Sequence, residues 1–111
     1  LGKEIQKRKE GELIINKLTA NDRMFLFDEN GKSFSSIDFS NLIQKQMNSG
    51  VKQIVMVIGG PYGFSKNVYQ KAYSKISLSK MTFTHQMVRL IAVEQIYRGL
   101  TILKNEPYHH Q

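Results

Sequence analysis

Two loops that expose backbone groups are the part of this chain best suited to chemistry. The first is the glycine turn Ile58-Gly59-Gly60-Pro61-Tyr62-Gly63, and the second is Leu78-Ser79-Lys80-Met81-Thr82-Phe83. Each loop comes directly after a predicted strand. Because the carboxyl ends of parallel strands meet at one edge of a sheet, both loops should face the same crevice. The sequence therefore predicts a small-molecule pocket contacted largely by backbone amides and carbonyls.

The glycine turn does not match the common nucleotide-binding motifs. It is not G-x-G-x-x-G, and it lacks the Gly-Lys-Ser/Thr ending of a phosphate loop. A purely structural turn that needs glycine for its geometry stays open as an alternative. The serines of the second loop could likewise serve only to cap the helix that follows.

Few other side chains are obvious candidates for catalysis. His85 could be a base, but packing or capping at a helix start is the favoured interpretation. Glu94 stands four residues before Arg98, which predicts an ion pair within one helix. The chain has no cysteine, and two of its three histidines are adjacent near the end, so a metal site is disfavoured.

Charge is unevenly distributed along the 111 residues. The net charge is +7, residues 1–40 are nearly balanced, and residues 41–104 hold nine basic side chains against the single acid Glu94. Such an excess attracts polyanions, most commonly nucleic acid, although a merely solvated basic surface is the alternative. No apolar run is long enough to span a membrane and no secretory signal is visible, so we expect a cytoplasmic protein with no membrane partner.

The elements that position the loops alternate between helix and strand. Apolar spacing and turn signals predict, in order, a helix over 1–17, a strand over 24–27, a helix from 36 to about 50, a strand over 54–58, a short helix after Ser65, a strand over 75–78 and a helix over 84–104. The order predicts one α/β domain in which a mostly parallel sheet is flanked by helices.

Several local details of these elements can be predicted as well. Leu1, Ile5, Leu13 and Ile14 should share one side of the first helix, whose uncapped start indicates that sequence is missing upstream. A turn is predicted at Asp28-Glu29-Asn30-Gly31, with Gly31 free to adopt positive φ. The run 54–58 is apolar throughout, which is typical of a strand buried on both faces. The last helix is apolar over more than half its circumference, which predicts a homodimer.

Residues 53–111 resemble the ribosomal RNA large subunit methyltransferase H family of the SPOUT superfamily. The likeness rests on ordered matches, namely Val57-Ile58-Gly59-Gly60-Pro61-Tyr62-Gly63, Ser77-Leu78-Ser79-Lys80-Met81-Thr82-Phe83, His85-Gln86-Met87-Val88-Arg89, Glu94-Gln95-Ile96-Tyr97-Arg98 and Pro107-Tyr108-His109. A weaker likeness extends back through Gly31-Lys32 to Glu10-Gly11. The chain as a whole, 1–111, is thus expected to be a single SPOUT methyltransferase domain that lacks the family's usual N-terminal strand and helix.

The resemblance implies a C-terminal trefoil knot, a homodimer and S-adenosylmethionine bound in the knot. Residues carried over as cofactor contacts are Phe27, Gly59, Leu78, Ser79, Lys80, Met81, Thr82 and Phe83. At Phe27 the family commonly has leucine, so the larger ring would line the adenine pocket through its backbone.

The activity implied by the resemblance is methylation of N3 of a pseudouridine in 23S rRNA on the assembled ribosome. This reaction requires loss of the N3 proton and alignment of the nitrogen with the methyl donor. His109 with Tyr108, on a mobile tail, is the candidate for recognition or proton removal, and Arg89 could contact phosphate or base. The alternatives are a non-enzymatic RNA- or ribosome-binding module and a SPOUT methyltransferase with another RNA target.

Overall fold

The computed structural model describes residues 2–59 and 63–110. The helices and strands of this part of the chain are α1 Gly2–Asn16, β1 Asp22–Ser33, α2 Ser36–Asn48, β2 Gln53–Ile58, α3 Lys66–Lys71, β3 Ser74–Ser77 and α4 His85–Leu103. Every predicted helix and strand is present, and all except the C-terminal end of β1 lie within a few residues of their expected bounds. None of the helices in the described part of the chain is long and apolar enough to cross a membrane.

The three strands form one parallel sheet in the order β2-β1-β3. β1 lies in the centre, where Phe27 pairs with Ile58 of β2 on one side and with Ile76 of β3 on the other. The α/β class with a parallel sheet flanked by helices is therefore confirmed. The trefoil knot stays a prediction from the resemblance.

β1 supports two hydrophobic layers because its side chains alternate between the faces of the sheet. Phe25 and Phe27 pack with Phe39 of α2 and Ala92 of α4 on one face. The opposite face carries a second cluster, made of Met24, Leu26, Phe64 and Val68, against which residues of α1 and its C-terminal end pack. The run at 24–27 is consequently buried at every position.

The predicted turn at residues 28–31 is wrong, because β1 continues through it to Ser33. Its register against β3 breaks there: Phe27 pairs with Ile76, and so does Lys32, so the intervening residues leave the ladder as a bulge. Positive φ among the described glycines occurs at Gly50 and Gly63, not at Gly31. Gly31 is required instead because a Cβ there would lie 2.6–2.8 Å from backbone atoms of Lys75 and Ile76.

Burial of two other elements also differs from expectation. The apolar residues of β2 are half-buried rather than fully buried, since β2 is an edge strand of the described sheet. On α1, Ile5 and Leu13 are exposed, and Leu1 lies outside the described residues. Gly11 is the buried position of α1. The helix contacts α3 through this glycine. The contact explains why α1 contains a glycine, a residue that otherwise weakens a helix.

Ser65 provides a stability prediction at the contact between α1 and α3. It occupies the N-cap position of α3, but its side chain makes no capping hydrogen bond, and its buried Oγ has no partner in the described structure. Ser65→Ala should therefore raise the free energy of unfolding by about 1 kcal/mol, since it removes a desolvated hydroxyl without removing a cap. Urea denaturation measures the change. Ser35→Ala is the matched control: Ser35 does cap α2 through Asp38, so that variant should lose about 1 kcal/mol.

Candidate functional site

A cleft of about 380 Å³ opens where the carboxyl ends of the strands meet. Its floor comes from Phe27 of β1, from Ile58 and Gly59 at the end of β2, and from Leu78 after β3. Phe64 and Val88 add apolar surface from the loop before α3 and from α4. The volume lies in the range of small-molecule sites, and the position is the crevice that an open parallel sheet provides.

Seven of the eight positions singled out in the sequence line this cleft, namely Phe27, Gly59, Leu78, Ser79, Met81, Thr82 and Phe83. Lys80 is not among the lining residues, and its role as a cofactor contact stays a prediction. The Met81 N–H donates to Ser79 Oγ at 3.0 Å, and the resulting tight turn holds the exposed Lys80 at its tip. Gly60, Pro61 and Tyr62 of the predicted glycine turn lie outside the described residues.

Acidic side chains border the cleft, a feature that the sequence analysis missed. Asp28 and Glu29 both line it, on the bulge that the sequence indicated as an ordinary turn. Asp28 accepts hydrogen bonds from the Asn30 N–H at 2.8 Å and from the Tyr69 hydroxyl. Among the residues that the structure describes, Glu29 has one side-chain contact, a long one of 3.5 Å from Thr82 Oγ1. The cleft of this basic chain is thus bordered by two carboxylates, and Glu29 makes fewer and longer hydrogen bonds than Asp28.

Tyr69 connects α3 to the cleft. Its hydroxyl donates to Asp28, and its ring packs edge-to-face on Phe64 with centroids 5.7 Å apart. Phe64 lies in turn against Gly59, where a Cβ would come within 3.1 Å of the ring. Burial, followed by the hydrogen bond to Asp28, raises the pKa of Tyr69 to about 12.

The raised pKa predicts a distinct alkaline transition. Because the folded value exceeds the ordinary 10.0, the stability contributed by the neutral hydroxyl is fully present below pH 10 and is lost as pH rises through about 12. An ultraviolet titration of phenolate should show a tyrosine that ionises near pH 12, and Tyr69→Phe should remove that phase. Tyr73→Phe is the control, since it removes a tyrosine and keeps the bond to Asp28. Persistence of the phase in Tyr69→Phe would contradict the assignment.

The two basic candidates on α4 differ in their surroundings. His85 is half-buried at the start of α4 and lines the cleft. It does not cap the helix, because Thr84 occupies that position and accepts from the Met87 N–H at 3.3 Å. Thr84, not a serine of the preceding loop, therefore caps α4. Arg89, one turn beyond His85, is exposed and has no ion pair or hydrogen bond within the described part of the chain.

The C-terminal tail packs on α4 rather than extending freely. The predicted pair is present, with Arg98 and Glu94 joined at 2.9 Å. The Tyr108 hydroxyl donates to Glu94 at 3.2 Å, and the Tyr108 ring packs edge-to-face on Tyr97 at 4.9 Å. An Arg98 N–H contacts His109 Nδ1 at 3.1 Å, which makes that nitrogen the acceptor. Hydrogen bonds from Arg98 and Tyr108 lower the pKa of Glu94 and keep it charged.

The structure does not bring Tyr108 and His109 to the cleft of their own chain. Neither residue lines it, and their contacts at 94–98 lie about 10–15 Å farther along α4 than Val88, at 1.5 Å per residue. Their catalytic role stays a prediction, and it requires the tail to leave this position or to serve another cleft.

Comparison with known proteins identifies the family to which this chain belongs. Residues 2–109 match the family described as "Predicted SPOUT methyltransferase", nearly the whole chain. The chain belongs to the SPOUT methyltransferase family, which confirms the resemblance and makes it a methyltransferase. Within the described residues no group of three or more histidine, cysteine or acidic side chains is arranged to hold a metal ion.

Close curated relatives carry one particular name, ribosomal RNA large subunit methyltransferase H. The protein of that name from Flavobacterium psychrophilum is 68% identical over 106 residues, which cover 96% of this chain and 68% of the relative. The Flavobacterium johnsoniae protein is 66% identical over 111 residues, 100% of this chain and 71% of the relative. The Parabacteroides distasonis protein is 59% identical over 106 residues, again 96% and 68% of the two chains.

Proposed function

We propose that this chain transfers a methyl group from S-adenosylmethionine to large-subunit ribosomal RNA, at N3 of a pseudouridine in 23S rRNA on the assembled ribosome. The cleft at the carboxyl ends of the three strands is the observation that carries the proposal. Family membership and the names of the relatives support the methyl-transfer chemistry and the RNA substrate. The whole of 1–111 would act as one domain in the cytoplasm, with the knot built from its C-terminal half.

The cleft fits the chemistry of this cofactor. Apolar groups from Phe27, Leu78 and Val88 can pack against adenine, and Gly59 leaves room for a ligand to approach the backbone. The carboxylates of Asp28 and Glu29 match the positive charge of a sulfonium and an amino group. When bound, the cofactor supplies an electrophilic methyl group. The chain itself supplies position, charge and exclusion of water.

The substrate side of the cleft would be built from α4 and its tail. Arg89 has no partner within the described residues and is the proposed contact for an RNA phosphate or base. His85 faces the cleft and is a second group able to accept a proton. Tyr108 and His109 keep their proposed role in recognition or proton removal, once released from Glu94 and Arg98.

A homodimer is part of the proposal because α4 has two apolar faces. Ala92 and Gly99 pack inward, against the sheet layer and α2. The outward face exposes an apolar stripe, formed by Leu90, Val93, Tyr97 and Leu100. Exposure of such a stripe at helical spacing is typical of a face that a second subunit covers.

Calorimetric titration with S-adenosylmethionine and S-adenosylhomocysteine is the first test. We expect binding of one ligand or fewer per chain, followed by methyl transfer to ribosomes that lack the modification, with N3-methylpseudouridine detected by mass spectrometry. Absence of binding by the folded chain would contradict the proposed function and favour a binding module. Methyl transfer to a different nucleotide would support the proposed methyltransferase activity but contradict the proposed RNA target.

A further inference from the structure

A second cavity of about 550 Å³, the β3 groove, lies beside the cleft. We define it by Lys32, Tyr73 and Lys75 together with Asp28 and Tyr69, which also line the cleft. The hydrogen bond from Tyr69 to Asp28 therefore lies in the wall between the two cavities. A ligand in the groove would be separated from the cleft by little more than one pair of side chains.

The β3 groove carries positive charge that no ion pair among the described residues neutralises. Neither Lys32 nor Lys75 forms an ion pair among the described residues; the ammonium groups lie over aromatic rings, of Phe34 and Tyr69 respectively, at 5.5 Å from each centroid. The one acidic lining residue, Asp28, already accepts two hydrogen bonds. The groove thus presents two unpaired cations to an incoming anion.

Aromatic side chains share the groove with these lysines. Tyr69 is 39% exposed and Tyr73 is 53% exposed, although both are large rings that folding normally covers. Arg23 lies over the Tyr73 ring, with its guanidinium carbon 4.4 Å from the centroid. Surfaces that bind single-stranded nucleic acids combine exposed aromatic rings with cationic side chains, because bases pack on the rings while lysines contact the phosphates.

Building on the proposed function, we propose that the β3 groove binds unpaired nucleotides of the RNA substrate next to the one that enters the cleft. Lys32 and Lys75 contact the phosphates, and the part of Tyr73 that Arg23 and Phe25 leave exposed contacts a base. Continuity with the cleft favours RNA over an acidic peptide, since a strand with one nucleotide in the cleft can extend across this wall into the groove. Binding there would hold the substrate in register with the methyl donor.

The test measures RNA binding and cofactor binding separately. The probe is a labelled RNA hairpin with an unpaired uridine-rich loop, compared with a duplex of the same stem, on the full chain and on Lys32→Gln and Lys75→Gln. Each variant should weaken hairpin binding about 5-fold and lower the slope of log affinity against log salt by about 0.7. Calorimetric affinity for S-adenosylmethionine should not change. Lys45→Gln, an exposed lysine of α2, is the matched control and should change hairpin binding less than about 2-fold.

The groove assignment would be overturned by equal effects of Lys45→Gln and the groove variants, by equal affinity for hairpin and duplex, or by no RNA binding of the unsubstituted chain. Competition by polyglutamate as strong as by RNA would overturn it too, because the groove would then recognise only negative charge. If the unsubstituted chain gives the expected RNA results but does not bind S-adenosylmethionine, that result would instead contradict the proposed methyl transfer.

Discussion

Gly59→Val is expected to lower the affinity for S-adenosylmethionine about 100-fold or more, which corresponds to about 3 kcal/mol. A Cβ at this position lies 3.1–3.4 Å from the ring of Phe64. Phe64 is 7% exposed and packs with Met24, Leu26 and Val68, so it has little room to move away. The added methyl groups must then occupy the cleft itself. Calorimetric titration measures the loss.

Two further variants make the Gly59 experiment specific. Gly59→Ala adds only the Cβ, so it should give a smaller loss of affinity than valine. Gly2→Val makes the same change where a Cβ meets nothing within 4 Å, and it should leave binding unchanged. Thermal unfolding of each variant separates loss of binding from loss of folding. A folded Gly59→Val chain with unchanged affinity would mean that the cofactor binds elsewhere.

Gly31→Ala should be the most damaging single-methyl substitution in the sheet, at about 3 kcal/mol of unfolding free energy. The new Cβ would lie 2.6 Å from the Lys75 carbonyl carbon, 2.7 Å from the Ile76 nitrogen and 2.8 Å from the Lys75 carbonyl oxygen. All three atoms belong to the backbone, so no side chain can rotate to relieve the contact. β1 and β3 must separate beyond Phe27, which also displaces Asp28 and Glu29 from the cleft.

Chemical denaturation measures the effect of Gly31→Ala. Gly2→Ala is its control, and the open surroundings of Gly2 predict a change of less than about 0.5 kcal/mol. A Gly31→Ala chain as stable as the control would show that the bulge can shift without cost, and that the close approach of β3 does not require glycine at that position.

Local sequence patterns were sufficient to predict the elements of this fold. The helices begin close to their expected positions, and Glu94 pairs with Arg98. Each of these features depends on residues that are close in sequence, where capping and helical spacing act directly. The placement of six residues from two loops around one cleft was also predicted, because it follows from a parallel sheet.

Features that depend on contacts between distant segments could not be predicted in the same way. Residues 28–31 have turn-forming chemistry, yet pairing with β3 keeps them in a bulged strand. Nothing in the local pattern indicates that Tyr69 donates to Asp28, forty-one positions away. Lys80 belongs to the same loop as the lining residues but does not line the cleft itself. The strand order β2-β1-β3 is likewise a property of the assembled chain.

The central position of β1 has a consequence for how the protein gains its activity. Phe27 pairs with Ile76, about fifty positions later, so the cleft is closed by a contact of high sequence separation, a kind of contact that slows folding. A chain that has formed only its helices and the β1–β2 pair lacks the complete cleft to which S-adenosylmethionine is proposed to bind. Ligand binding would therefore be restricted to fully folded molecules and would stabilise them selectively. In the cell, the supply of the methyl donor would then act on how much of this protein persists as well as on how fast it works.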